Sequence, residues 1–266
     1  MIALVKLALS IEQSGIIINF LRLRGLTTST RGEFFMTLPI ILLTILAVGT
    51  AILFSILRVT HGGITSLMTK TLASFCFVLL GVVVAFAHPI DDIGMFVILG
   101  LVCGMLGDIL LDLKSVDKTR SESYLNFGML AFGLGHVGYI TFATTLVGGA
   151  GISTQLIVAG AFALLFTLAI VLFSKPVLGL SLGKFTFQVS SYCFVLTFAA
   201  AFSVALAITY AFVWPLAIAL VSFWLSDLVL SLMYFGGKED SKFLSILNHF
   251  LYYGAQIAIA LFLVTL

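Results

Sequence analysis

Two aspartates lie inside apolar stretches long enough to cross a bilayer, and their local frames match: Leu106-Gly107-Asp108-Ile109-Leu110-Leu111 and Leu225-Ser226-Asp227-Leu228-Val229-Leu230. A carboxylate at membrane depth costs several kcal/mol unless it faces a polar cavity or a partner, so such residues mark function by default. Paired acids suit general acid catalysis, in which one carboxyl donates a proton while the other, ionised, stabilises positive charge and orients water. Two other chemistries use the same residues. Asp108, Asp227 and His136 could ligate a catalytic metal, although no H-x-x-x-H or similar spacing supports such a centre. A transporter could use the acids as a proton or cation relay.

The other polar residues in apolar segments are few. Gly100, Gly104, Gly107 and Asp108 recur at spacings of three and four, so they share one helix face, and the glycines let a neighbouring helix approach. Asp112, one turn beyond Asp108, is either an interfacial acid beside Lys114 or part of the site. His136 and Tyr139 are three apart and address one cavity, whereas a lone intramembrane histidine is often only a packing residue. No Lys or Arg lies within the stretch around Asp227, so its partner must come from another helix. Lys70 is a candidate, although lysines at helix ends usually snorkel to the interface. Tyr192 and Tyr252 read either as belt residues or as site residues; Gln256, deeper in its run, is harder to dismiss. His88, Asp91 and Asp92 read as a solvated loop. Cys76, Cys103 and Cys193 stand singly in apolar runs and read as packing residues, with no metal or redox motif. No cofactor is expected.

Elements that hold these residues must be membrane helices. Hydrophobic residues make up 61% of the 266, charged ones 9%, and the mean hydropathy is +1.25. No single soluble core could bury that much apolar surface. The fold class is all-α, a polytopic transmembrane bundle with spans at about 35–57, 67–87, 93–113, 123–147, 152–174, 186–207, 211–235 and 243–265. Residues 1–33 form a tail read as an interfacial amphipathic segment, and residues 34–266 form the eight-span membrane domain. A net charge of +2 with no basic run excludes nucleic acid as a partner.

Lys and Arg concentrate in alternate connections: Arg58; Lys114, Lys118 and Arg120; Lys175 and Lys184; Lys238 and Lys242. The positive-inside rule places those loops in the cytoplasm, with Lys6, Arg22, Arg24 and Arg31 of the tail as the exception. If spans 1–4 and 5–8 are two halves, Asp108 and Asp227 occupy equivalent places, as in a parallel repeat.

The polar segments resemble the YhhN-like family, the lysoplasmalogenases. The resemblance rests on Gly107-Asp108-Ile109-Leu110-Leu111, on Phe127-Gly128-x-x-Ala131-Phe132-x-x-Gly135-His136-x-x-Tyr139, and on Ser226-Asp227-Leu228. The Tyr252-Tyr253-Gly254-Ala255-Gln256 stretch and the Lys70 segment are similar as well. Together they run from about residue 65 to the C-terminus. The family's usual Lys-Pro appears here as Lys70-Thr71. The resemblance implies an eight-span hydrolase acting on a lysophospholipid within the bilayer. It would cleave the vinyl ether of lysoplasmalogens to a fatty aldehyde and glycerophosphoethanolamine or glycerophosphocholine. Asp108 and Asp227 would be catalytic, and Lys70, His136, Tyr139, Tyr192 and Gln256 would bind substrate or tune the acids. His136 and Tyr139, with Lys70, are the candidates for holding the phosphate. The membrane would be the endoplasmic reticulum in a eukaryote and the inner membrane in a bacterium.

Overall fold

The computed structural model describes residues 30–88, 92–149 and 151–266. Among them are eight long helices: α1 (Thr30–Thr60), α2 (Gly63–Ala87), α3 (Gly94–Val116), α4 (Ser121–Leu146), α5 (Ser153–Phe173), α6 (Thr186–Thr209), α7 (Trp214–Tyr234) and α8 (Lys242–Phe262). Each is long and apolar enough to cross a membrane. The expected interfacial tail lies outside the described residues, apart from residues 30–33, which open α1. Residues 40–266 form one compact unit.

Local chemistry explains the helix ends. Gly62 and Gly63 adopt φ of 65° and 56°, a left-handed conformation that a side chain would resist. The chain therefore reverses within two residues of α1, and α2 begins at residue 63 rather than near 67. Pro215 occupies the first turn of α7, where its missing N–H costs nothing. Ser241 caps α8 by accepting from the Leu244 N–H at 3.3 Å.

Six of the helices close a ring. Helices α2, α3 and α4 pack in sequence, as do α6, α7 and α8, and the ring closes through α4 against α6 and α8 against α2. Helices α1 and α5 stand outside it: 28% and 11% of their spans are buried, against 39% or more in the other six. The two outer helices are the first and fifth in chain order. Helix α5 leans on α6, and α1 reaches α8 through Phe54, whose ring lies 4.6 Å from His249 and 5.8 Å from Tyr253.

Helices α3 and α4 approach each other backbone to backbone, and glycine makes it possible. A Cβ on Gly138 would stand 2.9 Å from the Phe96 carbonyl oxygen, and one on Gly135 would stand 3.0 Å from that of Gly100. On α3, Gly100, Gly104 and Gly107 leave room for Tyr139, Gln256 and Phe132. The shared glycine face thus seats three side chains from two other helices and turns Asp108 into the ring.

Candidate active site

Lys70 lies two turns from the start of α2, Asp108 two turns from the end of α3, and Asp227 two turns from the end of α7. Because α2 runs against α3 and α7, all three groups meet at one level, about 10 Å in from the end of the bundle that carries the basic loops.

Asp108 is 2% exposed. Its Oδ1 faces Lys70 Nζ at 3.3 Å, and its Oδ2 accepts from Ser74 Oγ at 2.5 Å and from the Tyr252 hydroxyl at 2.8 Å. Behind Tyr252, Gln256 Nε2 donates to the Tyr252 oxygen at 3.2 Å, and the Tyr139 hydroxyl donates to Gln256 Oε1 at 2.8 Å. The chain Tyr139–Gln256–Tyr252–Asp108 links three helices, and every member points its donor toward the carboxylate.

One turn on, Asp112 is equally buried. It takes Lys70 Nζ at 3.3 Å on Oδ1, and Arg58 Nη1 at 3.3 Å with Ser66 Oγ at 3.0 Å on Oδ2. It is therefore no interfacial acid paired with Lys114. That lysine instead reaches Glu239 at 3.4 Å and covers the Tyr234 ring at 3.7 Å. Nor does Lys70 snorkel. Since α2 starts at Gly63, Lys70 sits too deep, is 8% exposed, and bridges Asp108 and Asp112.

Asp227 has a different setting. It accepts from the Tyr192 hydroxyl of α6 in a short hydrogen bond and from Ser226 Oγ at 3.3 Å. Among the described residues no Lys, Arg or His lies within ion-pair distance of it. Its partner from another helix is a tyrosine and not Lys70.

A cavity of about 30 Å³ joins the three acids. Lys70, Asp108, Asp112 and Asp227 supply polar walls, while Leu111, Phe132, Leu230 and Met233 supply apolar ones. A polar group of one or two heavy atoms fits this volume; a lipid tail needs the apolar side chains to part.

The remaining expected site residues stand behind this cavity. Tyr192 and Gln256 each touch a group that lines it. Tyr139 is one step further back, spent on Gln256. His136 donates from Nδ1 to the Phe132 carbonyl at 2.8 Å, and its ring packs edge-on against Phe223 at 4.5 Å. Its Nε2 has no partner among the described residues. Neither His136 nor Tyr139 faces the cavity, so neither is placed to hold a phosphate there.

Several residues escaped the sequence reading. Arg58 counted only as a loop charge, because it ends its span. Tyr252 read equally as a belt residue, yet it is buried and bonded to Asp108. Its spacing of four from Gln256 was the available signal, as was the spacing of four between Asp108 and Asp112. Ser74 carried no signal, whereas Asn248 and His249 stood inside the eighth span, where a polar residue at membrane depth was a signal left unused.

Among the described residues no group of three His, Cys, Asp or Glu side chains is gathered closely enough to hold a metal ion. Asp108, Asp227 and His136 are thus not a ligand set.

Fold and site together define an integral multi-pass membrane protein with a buried carboxylate cluster inside a six-helix ring. The YhhN family model matches residues 65–263, and the chain belongs to that family. Comparisons with curated proteins and with solved structures returned no match. The matched region begins just ahead of Lys70 and takes in α3 to α8, so the carboxylate cluster falls within it while Arg58 precedes it.

Proposed function

We propose that this protein hydrolyses the vinyl ether bond of lysoplasmalogens, with Asp227 as the proton donor and Asp108 as the ionised partner. Family membership supports a hydrolase. The observation that carries the assignment of roles is the balance of charge around the cavity. Arg58 and Lys70 are two cations, and they contact two of the three carboxylates, Asp108 and Asp112. Asp227 is the acid left over, among hydroxyls and aromatic rings. Burying an uncompensated charge at this depth is costly, and a neutral carboxyl avoids the cost.

The chemistry needs this division. The Asp227 carboxyl gives its proton to the β carbon of the vinyl ether, and an oxocarbenium ion forms at the carbon bonded to oxygen. Asp108 stabilises that cation at close range in a site of low dielectric. Water adds to the cationic carbon and surrenders a proton to the Asp227 carboxylate, which restores the acid. The hemiacetal then collapses to a fatty aldehyde and the glycerol hydroxyl of glycerophosphoethanolamine or glycerophosphocholine. Tyr192 aims the Asp227 carboxyl, and Ser74 with Tyr252 fixes Asp108. The basic loops face the cytoplasm, of the endoplasmic reticulum in a eukaryote or of the inner membrane in a bacterium, so the cavity opens toward the cytoplasmic leaflet.

Purified protein should release aldehyde from lysoplasmenylethanolamine and leave the saturated alkyl-ether analogue intact. In D₂O the aldehyde should carry one deuterium on carbon 2, the mark of carbon protonation. Loss of aldehyde release in both Asp108→Asn and Asp227→Asn completes the expectation. A folded wild-type protein that releases no aldehyde would sink the hydrolytic reading and bring solute transport forward.

A further inference from the structure

Resting on the lysophospholipid reading above, we infer that Arg58 and His249 form the subsite for the phosphodiester of the substrate, Arg58 at the outer end of the cavity and His249, two turns into α8, in its wall. The observations are independent of the acid chemistry. Arg58 lies in the last turn of α1, at the bundle end that carries the basic loops, and its side chain is 26% exposed. Among the described residues only its Nη1 is engaged, with Ser66 at 3.0 Å and Asp112 at 3.3 Å. Nη2 and Nε remain as donors, and a guanidinium presents such donors in the fork that suits two phosphate oxygens.

His249 is 7% exposed and lines the same cavity. Its ring is held against Phe54, and its Nδ1 has no hydrogen-bond partner among the described residues. A buried polar atom without a partner calls for an explanation. A phosphate oxygen, with a proton on the imidazole, supplies one. His249 and Arg58 come from helices that meet at Phe54, one turn from Arg58 on the same helix, so both can address one group.

Depth agrees. The acids lie about two helical turns, or ~10 Å, further into the bundle than Arg58. In a lysoplasmalogen the vinyl ether is separated from the phosphate by the glycerol backbone, so a phosphate at Arg58 carries the scissile bond down toward Asp108 and Asp227. The route from Arg58 to Asp108 runs through Asp112 and Lys70, in three successive contacts of 3.3 Å. Because Lys70 is spent on two carboxylates, it positions the acid and does not serve as the phosphate ligand. His136 and Tyr139 lie on the far side of the Asp108 network and take no part in this subsite.

The test is equilibrium binding to detergent-solubilised full-length protein, independent of turnover. Two non-hydrolysable ligands are compared: an alkyl-ether lysophosphoethanolamine and the phosphate-free alkylglycerol of the same chain. Wild type should prefer the phosphodiester by tenfold or more. Arg58→Gln and His249→Gln should each remove most of that preference while alkylglycerol affinity stays within twofold, which also shows that the variants fold. Arg58→Lys should keep part of it. Glycerophosphoethanolamine and inorganic phosphate serve as competitors. Displacement by inorganic phosphate as effective as by the lipid would mean a free-anion site and overturn the lipid assignment. Equal losses for both ligands, or an unchanged preference in both variants, would also overturn the subsite. Failure of the hydrolytic reading is visible separately, as absent aldehyde release with the phosphate preference intact.

Discussion

Asp108 and Asp227 occupy the third helix of each half, at one depth, yet their surroundings differ in kind. Around Asp108 are an ammonium group and two hydroxyls; around Asp227 are two hydroxyls and, among the described residues, no cation within ion-pair distance. The difference originates in the preceding helix. Helix α2 brings Lys70 and Ser74 to Asp108, whereas α6 brings Tyr192 to Asp227. The following helices diverge as well. Tyr252 of α8 reaches Asp108, but His136 of α4 turns its Nδ1 to its own backbone and stands with its ring centroid 6.3 Å from that of Tyr192. Two similar acids thus sit in unlike surroundings, and the proposed division between proton donor and ionised partner rests on that difference.

The sharpest way to break this comparison is Asp227→Asn. Turnover of the vinyl ether should fall by about 10³-fold, the scale of a lost general acid, while the midpoint of thermal unfolding barely moves, because no cation loses its counter-charge. Retention of a tenth of the activity would end the assignment of Asp227 as proton donor.

Next in size is Lys70→Met. It leaves Asp108 and Asp112 facing each other with Arg58 alone to balance them, and should cost about 3–5 kcal/mol of stability. Adding Asp108→Asn to Lys70→Met should recover part of that loss. Denaturation of the three proteins in one detergent measures both effects. Equal destabilisation by Lys70→Met and by Asp227→Asn would mean that the two acids are not differently compensated.

The halves also differ in helix contact. Gly138 of α4 abuts the Phe96 carbonyl, whereas Gly254 of α8 has open space around its missing Cβ. Gly138→Ala should destabilise by about 1–3 kcal/mol through the strain of overpacking. Gly254→Ala should be neutral or add up to about 1 kcal/mol through helix propensity.

The smallest expected effect is that of Tyr192→Phe, which removes one hydroxyl from Asp227. A loss of about 1 kcal/mol predicts a several-fold lower kcat with KM unchanged. A raised KM with kcat intact would move Tyr192 from aiming the acid to binding substrate.

Much of the fold was legible because apolar run length is a local property. The eight spans fall where the runs predict, with helix starts displaced by at most five residues, at α2 through Gly62 and Gly63. The candidate site was legible in its residue types but not in its pairings. Asp108 and Asp227 stood out because carboxylates are rare at membrane depth, and Gln256 because it sits deep in an aliphatic run. Lys70 stayed open between the interface and the site, since its depth depends on where α2 begins. Asp112 stayed open between Lys114, its neighbour in sequence, and the site, because its partners are 42 and 54 residues away.

What the sequence by itself determined is the class of protein, the number of spans, the family resemblance and two acids at membrane depth, because each follows from residue type and spacing along one helix. What only the tertiary structure decided is which acid holds a cation, which holds a phenol, and that Arg58 and His249 line one cavity. Those facts depend on how antiparallel helices are rotated and set in depth against one another. That packing is fixed by the glycines of α3 and α4 and by ring closure through α8 and α2, where the rings of Phe77 and Tyr253 meet although 176 residues apart in the chain.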